Sequence, residues 1–108
     1  MTLIRREGFV SALREGILWY RSQDEHGTDA ATQLAERFAA AVDTSVAKLA
    51  ERPEAGAVWQ HRPGYRFLLV QKPFHRWLVF YRRPEADVVE LVDLIRGERD
   101  LPRRVAKA

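Results

Sequence analysis

From Phe9 onward the apolar residues recur at helical spacing, with Phe9, Leu13, Ile17 and Tyr20 on one side and Arg14, Glu15, Arg21 and Gln23 on the other. This pattern predicts a helix of about four turns. The polar stretch DEHGTDA, with Gly27, ends it, and Thr28 or Asp29 is suited to cap a second helix running to about Arg52. The stripe of that helix is Leu34, Phe38, Ala41 with Val42, Ser45 and Leu49, in a background of alanines that favours helix and keeps the outline slim. Two helices joined by so short a loop form a helical hairpin. Pro53 stops the second helix, and Gly56 lets the chain turn.

After Gly56 the period becomes two. Tyr65, Phe67 and Leu69 alternate with Arg66, Leu68 and Val70, and KPF turns the chain. Trp77, Val79 and Tyr81 then alternate with Arg76, Leu78, Phe80 and Arg82. This strand is apolar on both faces at its centre, which predicts a central position with one face on the helices and the other partly covered. RRPEAD supplies the next turn, and a third strand follows from Val88 to Ile95. On strict alternation Val89, Leu91 and Ile95 share one face, opposite Val88, Val92 and Leu94. At the N-terminus, Thr2 to Arg6 suit at most a short edge strand, with Leu3 and Ile4 its only apolar residues. The expected fold is therefore α+β: a helical hairpin, with or without a short first strand, packed on a three- to four-stranded antiparallel sheet.

Composition adds bounds. With 108 residues, 46% of them hydrophobic, one domain with one modest core is expected over residues 1–108, and the polar tail after about residue 102 is not expected to pack on its own. The formal charge of +3 hides an asymmetry. Residues 1–60 hold seven Lys/Arg against nine Asp/Glu, while residues 61–108 hold eleven against six, so the basic character lies in the C-terminal half. The chain has no cysteine, which excludes disulfides, a thiol nucleophile and thiolate metal sites. MTLIRREGFV lacks an apolar run of signal-peptide length, and no segment approaches the roughly 20 apolar residues needed to cross a bilayer. A cytoplasmic location without membrane association is expected. Neither a Gly-rich phosphate loop nor metal-ligand spacing among the three histidines is present, so no cofactor and no metal are expected.

Three pieces in this order resemble the RelE/ParE family of toxins from type II toxin–antitoxin systems. ERPEAGAVW is similar to the family's helix-to-sheet connection, RFLLVQKPFHRWLVFYR to its central hairpin, and VVELVDLIRGERDLP to its last strand and following turn. The resemblance runs from about Phe9 to Pro102, and it is closer to ParE-like than to RelE-like members. ParE-like members are thought to inhibit growth by binding DNA gyrase, whereas RelE-like members cut messenger RNA on the ribosome. The resemblance thus implies a toxin neutralised by a cognate antitoxin, with DNA gyrase as target. The alternatives are a ribosome-dependent endonuclease and a non-toxic relative that retains only protein binding. Direct sequence-specific DNA binding by this chain alone is not expected.

Cleavage of RNA needs a base, an acid and cations for the phosphate. The candidate acid–base groups are His61, His75, Tyr65 and Tyr81, and a nuclease would draw on Arg66, His75, Tyr81 and Arg96. Two departures weigh against it. Many members carry His before the Gly of the last turn, where this chain has Arg96, and the C-terminal RDLPRRVAKA has neither Tyr nor His. His75 otherwise reads as an exposed turn residue, Tyr81 as core, and His26, beside Asp24 and Glu25, as solvated. For contact with a target the candidates are Arg82, Arg96, Arg99, Arg103 and Arg104, with Lys107 nearby; for contact with an antitoxin they are Trp59 and Trp77.

Overall fold

Two helices and five strands follow one another in the computed structural model, which describes residues 1–23 and 28–97. Strand β1 (Thr2–Arg5) leads into α1 (Glu7–Arg21) and α2 (Thr28–Glu51). Strands β2 (Ala57–Val58), β3 (Tyr65–Leu69), β4 (Trp77–Glu85) and β5 (Val88–Arg96) complete one sheet in the order β1-β5-β4-β3-β2. The four later strands form an antiparallel meander, of which β3, β4 and β5 are the expected strands. Strand β1 departs from it by pairing parallel to β5, from Thr2 opposite Val88 to Arg5 opposite Leu91, so the sheet is mixed. The sheet also gains β2, two residues inside what reads as a plain connection.

Both helices lie on one face. Phe9, Phe38, Val42, Val46 and Leu49 from the helices meet Val79, Tyr81, Val89, Leu91 and Leu94 from the sheet in the main core. Helix α1 starts without a side-chain cap but carries Glu7 in its first turn and Arg21 in its last, the charges that the helix dipole favours at each end. Ser45, the one polar residue of the α2 stripe, is buried yet satisfied: its Oγ donates to Ala41 O (2.8 Å) and accepts from Gln71 N (3.0 Å). That pair of bonds fastens α2 to the β3–β4 connection.

On the opposite face Trp59, Tyr65, Leu78, Phe80 and Ile95 form a second cluster, with Phe67 and Val92 against it. The central strand is thus buried on both sides, from Leu78 to Tyr81. Strand β5 corrects the strict alternation expected of it. Phe80 pairs with Asp93 but Tyr81 with Leu91, so β5 holds one extra residue there, a β-bulge. The bulge advances the phase by one: Leu94 joins Val89 and Leu91 under the helices, and Ile95 joins Val92 on the other face. The turn between β2 and β3 closes through Trp59 N to Tyr65 O (2.8 Å), with Gly64 at φ +84°, a backbone region that disfavours any side chain.

Candidate functional site

The residues that a nuclease would need are divided between the middle of β4 and its first residue. Tyr81 is buried, and its Oη donates to Pro53 O (2.7 Å) and accepts from Gly56 N (2.9 Å). Burial pushes its pKa up, outweighing the opposing Gly56 bond and the nearby Arg66 charge, so the phenol holds its proton firmly. Arg66 pairs across from Tyr81, and its Nη1 donates to Gly56 O (2.9 Å). Both side chains therefore serve the connection between α2 and β2. At the start of β4, Arg96 lies opposite Trp77 with its guanidinium over the Trp19 ring, 5.1 Å from the centroid, and His75 is exposed in the adjoining turn. Trp77 and Tyr81 are four strand residues apart, about 13 Å. The four residues do not share one site.

His61 is exposed, its ring 4.9 Å from that of Trp59. His26, Arg99, Arg103, Arg104 and Lys107 lie outside the described residues. Among the described residues no group of three or more His, Cys, Asp or Glu could hold a metal ion.

One charged constellation does converge, and sequence spacing could not have found it. On the face away from the helices, register places Tyr65 beside Arg82, Arg82 beside Glu90, and Glu90 beside β1. Glu90 is buried among them, and its Oε1 accepts from Arg6 Nε (2.7 Å) and Arg82 Nε (3.1 Å), while Oε2 accepts from Arg82 Nη2 (3.3 Å). Arg62 extends the row by lying over the Tyr65 ring, 4.3 Å from its centroid. Two guanidiniums thus clasp one carboxylate, and a third stacks on the neighbouring tyrosine. Arg82, a candidate for target contact, is at the same time the strut that ties β4 to β5.

Burial alone would raise the Glu90 pKa, but the hydrogen bonds and charges of Arg6 and Arg82 outweigh it and hold the carboxyl below its ordinary value. A lowered carboxylate contributes stability that is present above the unfolded value, near 4.5, and is lost as pH falls through the lower folded value. Glu90→Gln is expected to cost about 1–3 kcal/mol at pH 7. Urea unfolding at a series of pH values should show that cost shrinking on acidification. A cost that stays constant from pH 7 to pH 3 would mean that the ion pairs contribute nothing.

The two tryptophans proposed for antitoxin contact are both engaged within the chain. Trp59 is 8% exposed and packs edge-on to Phe67 and Phe80; its Nε1 is the buried side-chain donor without a partner among the described residues. Trp77 packs against Phe38 under the helices and donates from Nε1 to Tyr20 Oη (3.0 Å). Trp59 nevertheless lines, with Val58, His61 and Phe67, a shallow pocket of about 320 Å³ at the β2 edge, and a second open apolar surface lies on α1. Val10, Leu13, Arg14, Ile17, Leu18 and Arg21 line a shallow groove of about 340 Å³ along its outer side. Sequence reasoning assigned Leu13 and Ile17 to the core stripe. The additional signal was Val10 and Leu18, which with them complete an i, i+3, i+7, i+8 series rotated away from Phe9 and Gly16.

A helical hairpin on one face of a five-stranded mixed sheet, with charged residues tied across the other, defines a two-layer α+β protein of a recurring kind. A chain of a solved structure described as the chromosomal ParDE TA system from P. aeruginosa has the same fold: TM-score 0.72, 16% identity, covering 91% of this chain and 97% of that one. The family model for the ParE toxin of the type II toxin–antitoxin system parDE matches residues 17–101. The chain belongs to the ParE toxin family. No curated protein matches it.

Proposed function

We propose that this chain is the toxin of a type II pair, that it inhibits growth by binding an essential cytoplasmic target, with DNA gyrase the first candidate, and that a cognate antitoxin neutralises it. The match to the ParE toxin family over residues 17–101 carries this reading. The geometry supports binding rather than cleavage. Arg66 and Tyr81 are consumed by the α2–β2 connection, while His75 and Arg96 stand at the start of β4. An acid, a base and a phosphate-binding cation must all reach the same scissile phosphate, and this arrangement keeps them apart.

Induced expression of the chain alone is expected to arrest growth. Coexpression of its cognate antitoxin should restore it. Purified chain is expected to reduce supercoiling by gyrase while leaving message intact in a translating extract. Normal growth at good expression would refute the toxin assignment; cleaved message with unchanged supercoiling would replace gyrase by the translating ribosome. Among the described residues no helix is long and apolar enough to cross a membrane.

A further inference from the structure

The clasp around Glu90 has a buried centre and two open arms. The Glu90 side chain is 7% exposed, whereas those of Arg6 and Arg82 are 56% and 40% exposed. Arg6 gives the carboxylate its Nε–H alone, and Arg82 gives Nε and Nη2, so each guanidinium keeps N–H donors beyond those the clasp uses. Two guanidiniums against one carboxylate also leave one positive charge in excess. The next carboxylates along the ladder, Glu85 at the end of β4 and Asp87 in the following turn, lie beyond Val88. An arginine on an unsupported surface gives up rotamer freedom when it takes hold of a ligand. Here the buried carboxylate has already fixed both heads.

The surroundings decide which class of anion fits. Ile4 stands directly opposite Glu90 in the β1–β5 ladder and is 38% exposed, and half-buried Val88 lies two residues before Glu90 on the same face. Single-stranded nucleic acid is held by cations that follow its backbone and by exposed rings on which its bases stack. The rings next to the clasp are closed to stacking: Tyr65, beside Arg82, is buried under the Arg62 guanidinium, and Phe80 is 1% exposed. A fixed pair of guanidiniums bordered by aliphatic side chains suits instead a protein segment in which a Glu or Asp stands beside an apolar residue. Its carboxylate would meet the planar guanidinium with the paired hydrogen bonds that arginine favours.

We infer that the Arg6–Arg82 pair, held by Glu90 and bordered by Ile4 and Val88, is the seat through which this chain grips an acidic segment of its target protein. The inference rests on the toxin reading above and adds the surface and the chemistry of the partner. It keeps Arg82 among the residues for target contact and joins to it Arg6, from the other end of the chain.

Two experiments on the full chain test it. In the first, the arginine Nε–Hε resonances are followed by NMR as a capped hexaglutamate peptide or octathymidylate is added. The peptide should shift the Arg6 and Arg82 signals saturably and leave that of Arg37, an exposed arginine of α2, in place; Arg6→Gln should weaken its binding about tenfold. Peptide shifts no larger at Arg6 and Arg82 than at Arg37 would overturn the site, and tighter saturable shifts of the same two signals by octathymidylate would give it to nucleic acid. In the second, growth arrest is compared at matched soluble levels, where Arg6→Gln should need about tenfold more chain than the unaltered protein and Arg37→Gln no more. Far-ultraviolet circular dichroism and urea midpoints establish that Arg6→Gln folds; if it does not, Arg6→Lys, which keeps the charge and loses the fork, replaces it with a loss of about threefold. Full arrest by the folded variant at the unaltered dose would overturn the surface and leave the toxin reading standing. Absence of arrest by the unaltered chain would overturn both.

Discussion

Phe38→Ala is expected to destabilise the fold by about 3–5 kcal/mol, because the site cannot close over the space that the ring leaves. Phe38 is fully buried at the centre of an aromatic group, with ring centroids 4.9 Å from Tyr20, 4.9 Å from Trp77 and 5.5 Å from Phe74. Two of those neighbours are held in place by the Trp77 Nε1 to Tyr20 Oη bond, which limits their collapse into a cavity. On its other side Phe38 fills the notch that Gly16 leaves in α1: a Cβ on Gly16 would come within 2.8 Å of Phe38 Cε2 and 3.3 Å of the Trp77 ring. Gly16 therefore costs helix propensity in exchange for ring contact. Gly16→Ala alone should destabilise, whereas in the Phe38→Ala background its methyl enters vacated space and should be neutral or stabilising. Urea unfolding of the four variants in a double-mutant cycle gives the coupling directly. A loss below about 1.5 kcal/mol for Phe38→Ala would mean that the aromatic group repacks.

Much of this architecture is legible in the chain itself, and the failures have a common cause. The helices and the central strand follow from periods of 3.6 and 2, since each buries a continuous stripe that local spacing records. Strand β4 has four buried residues in a row, and that run alone announces its central place. Strands β1 and β2 are edge strands with one ladder each and mostly exposed side chains, so they leave almost no hydrophobic trace. The bulge in β5 defeats alternation because nothing in VVELVDLIR marks which residue is extra. At the candidate site, Glu90 is visible as a carboxylate inside an apolar strand, but its partner Arg6 is 84 residues away and no local rule connects them. The same holds for the α1 groove: Val10 and Leu18 are readable as apolar helix positions, and only the packed structure shows which stripe the sheet takes and which it leaves open.

The second large effect is expected at Tyr81. Its hydroxyl joins two buried backbone groups, Pro53 O and Gly56 N, on the connection that carries the chain from α2 into the sheet, and Arg66 holds Gly56 O beside them. Tyr81→Phe keeps the ring and removes the oxygen, leaving a buried carbonyl and a buried amide without partners. At about 1–3 kcal/mol for each unsatisfied group, partly relieved by relaxation, a loss of about 2–4 kcal/mol is expected. Gly56→Ala attacks the same latch from the other side: its Cβ would stand 2.6 Å from Tyr81 Cε1 and 2.7 Å from Phe67 O, so ring or backbone must shift. Because both changes break one arrangement, the double variant should lose clearly less than the sum of the single losses. The pH dependence provides an independent check. A phenol whose folded pKa lies above the ordinary 10.0 contributes stability that is complete below that value and is lost as pH rises through the folded one. The unaltered chain should therefore weaken above about pH 10 in a way that Tyr81→Phe does not. Additive losses, together with an identical alkaline profile for Tyr81→Phe, would show that the hydroxyl is not the latch.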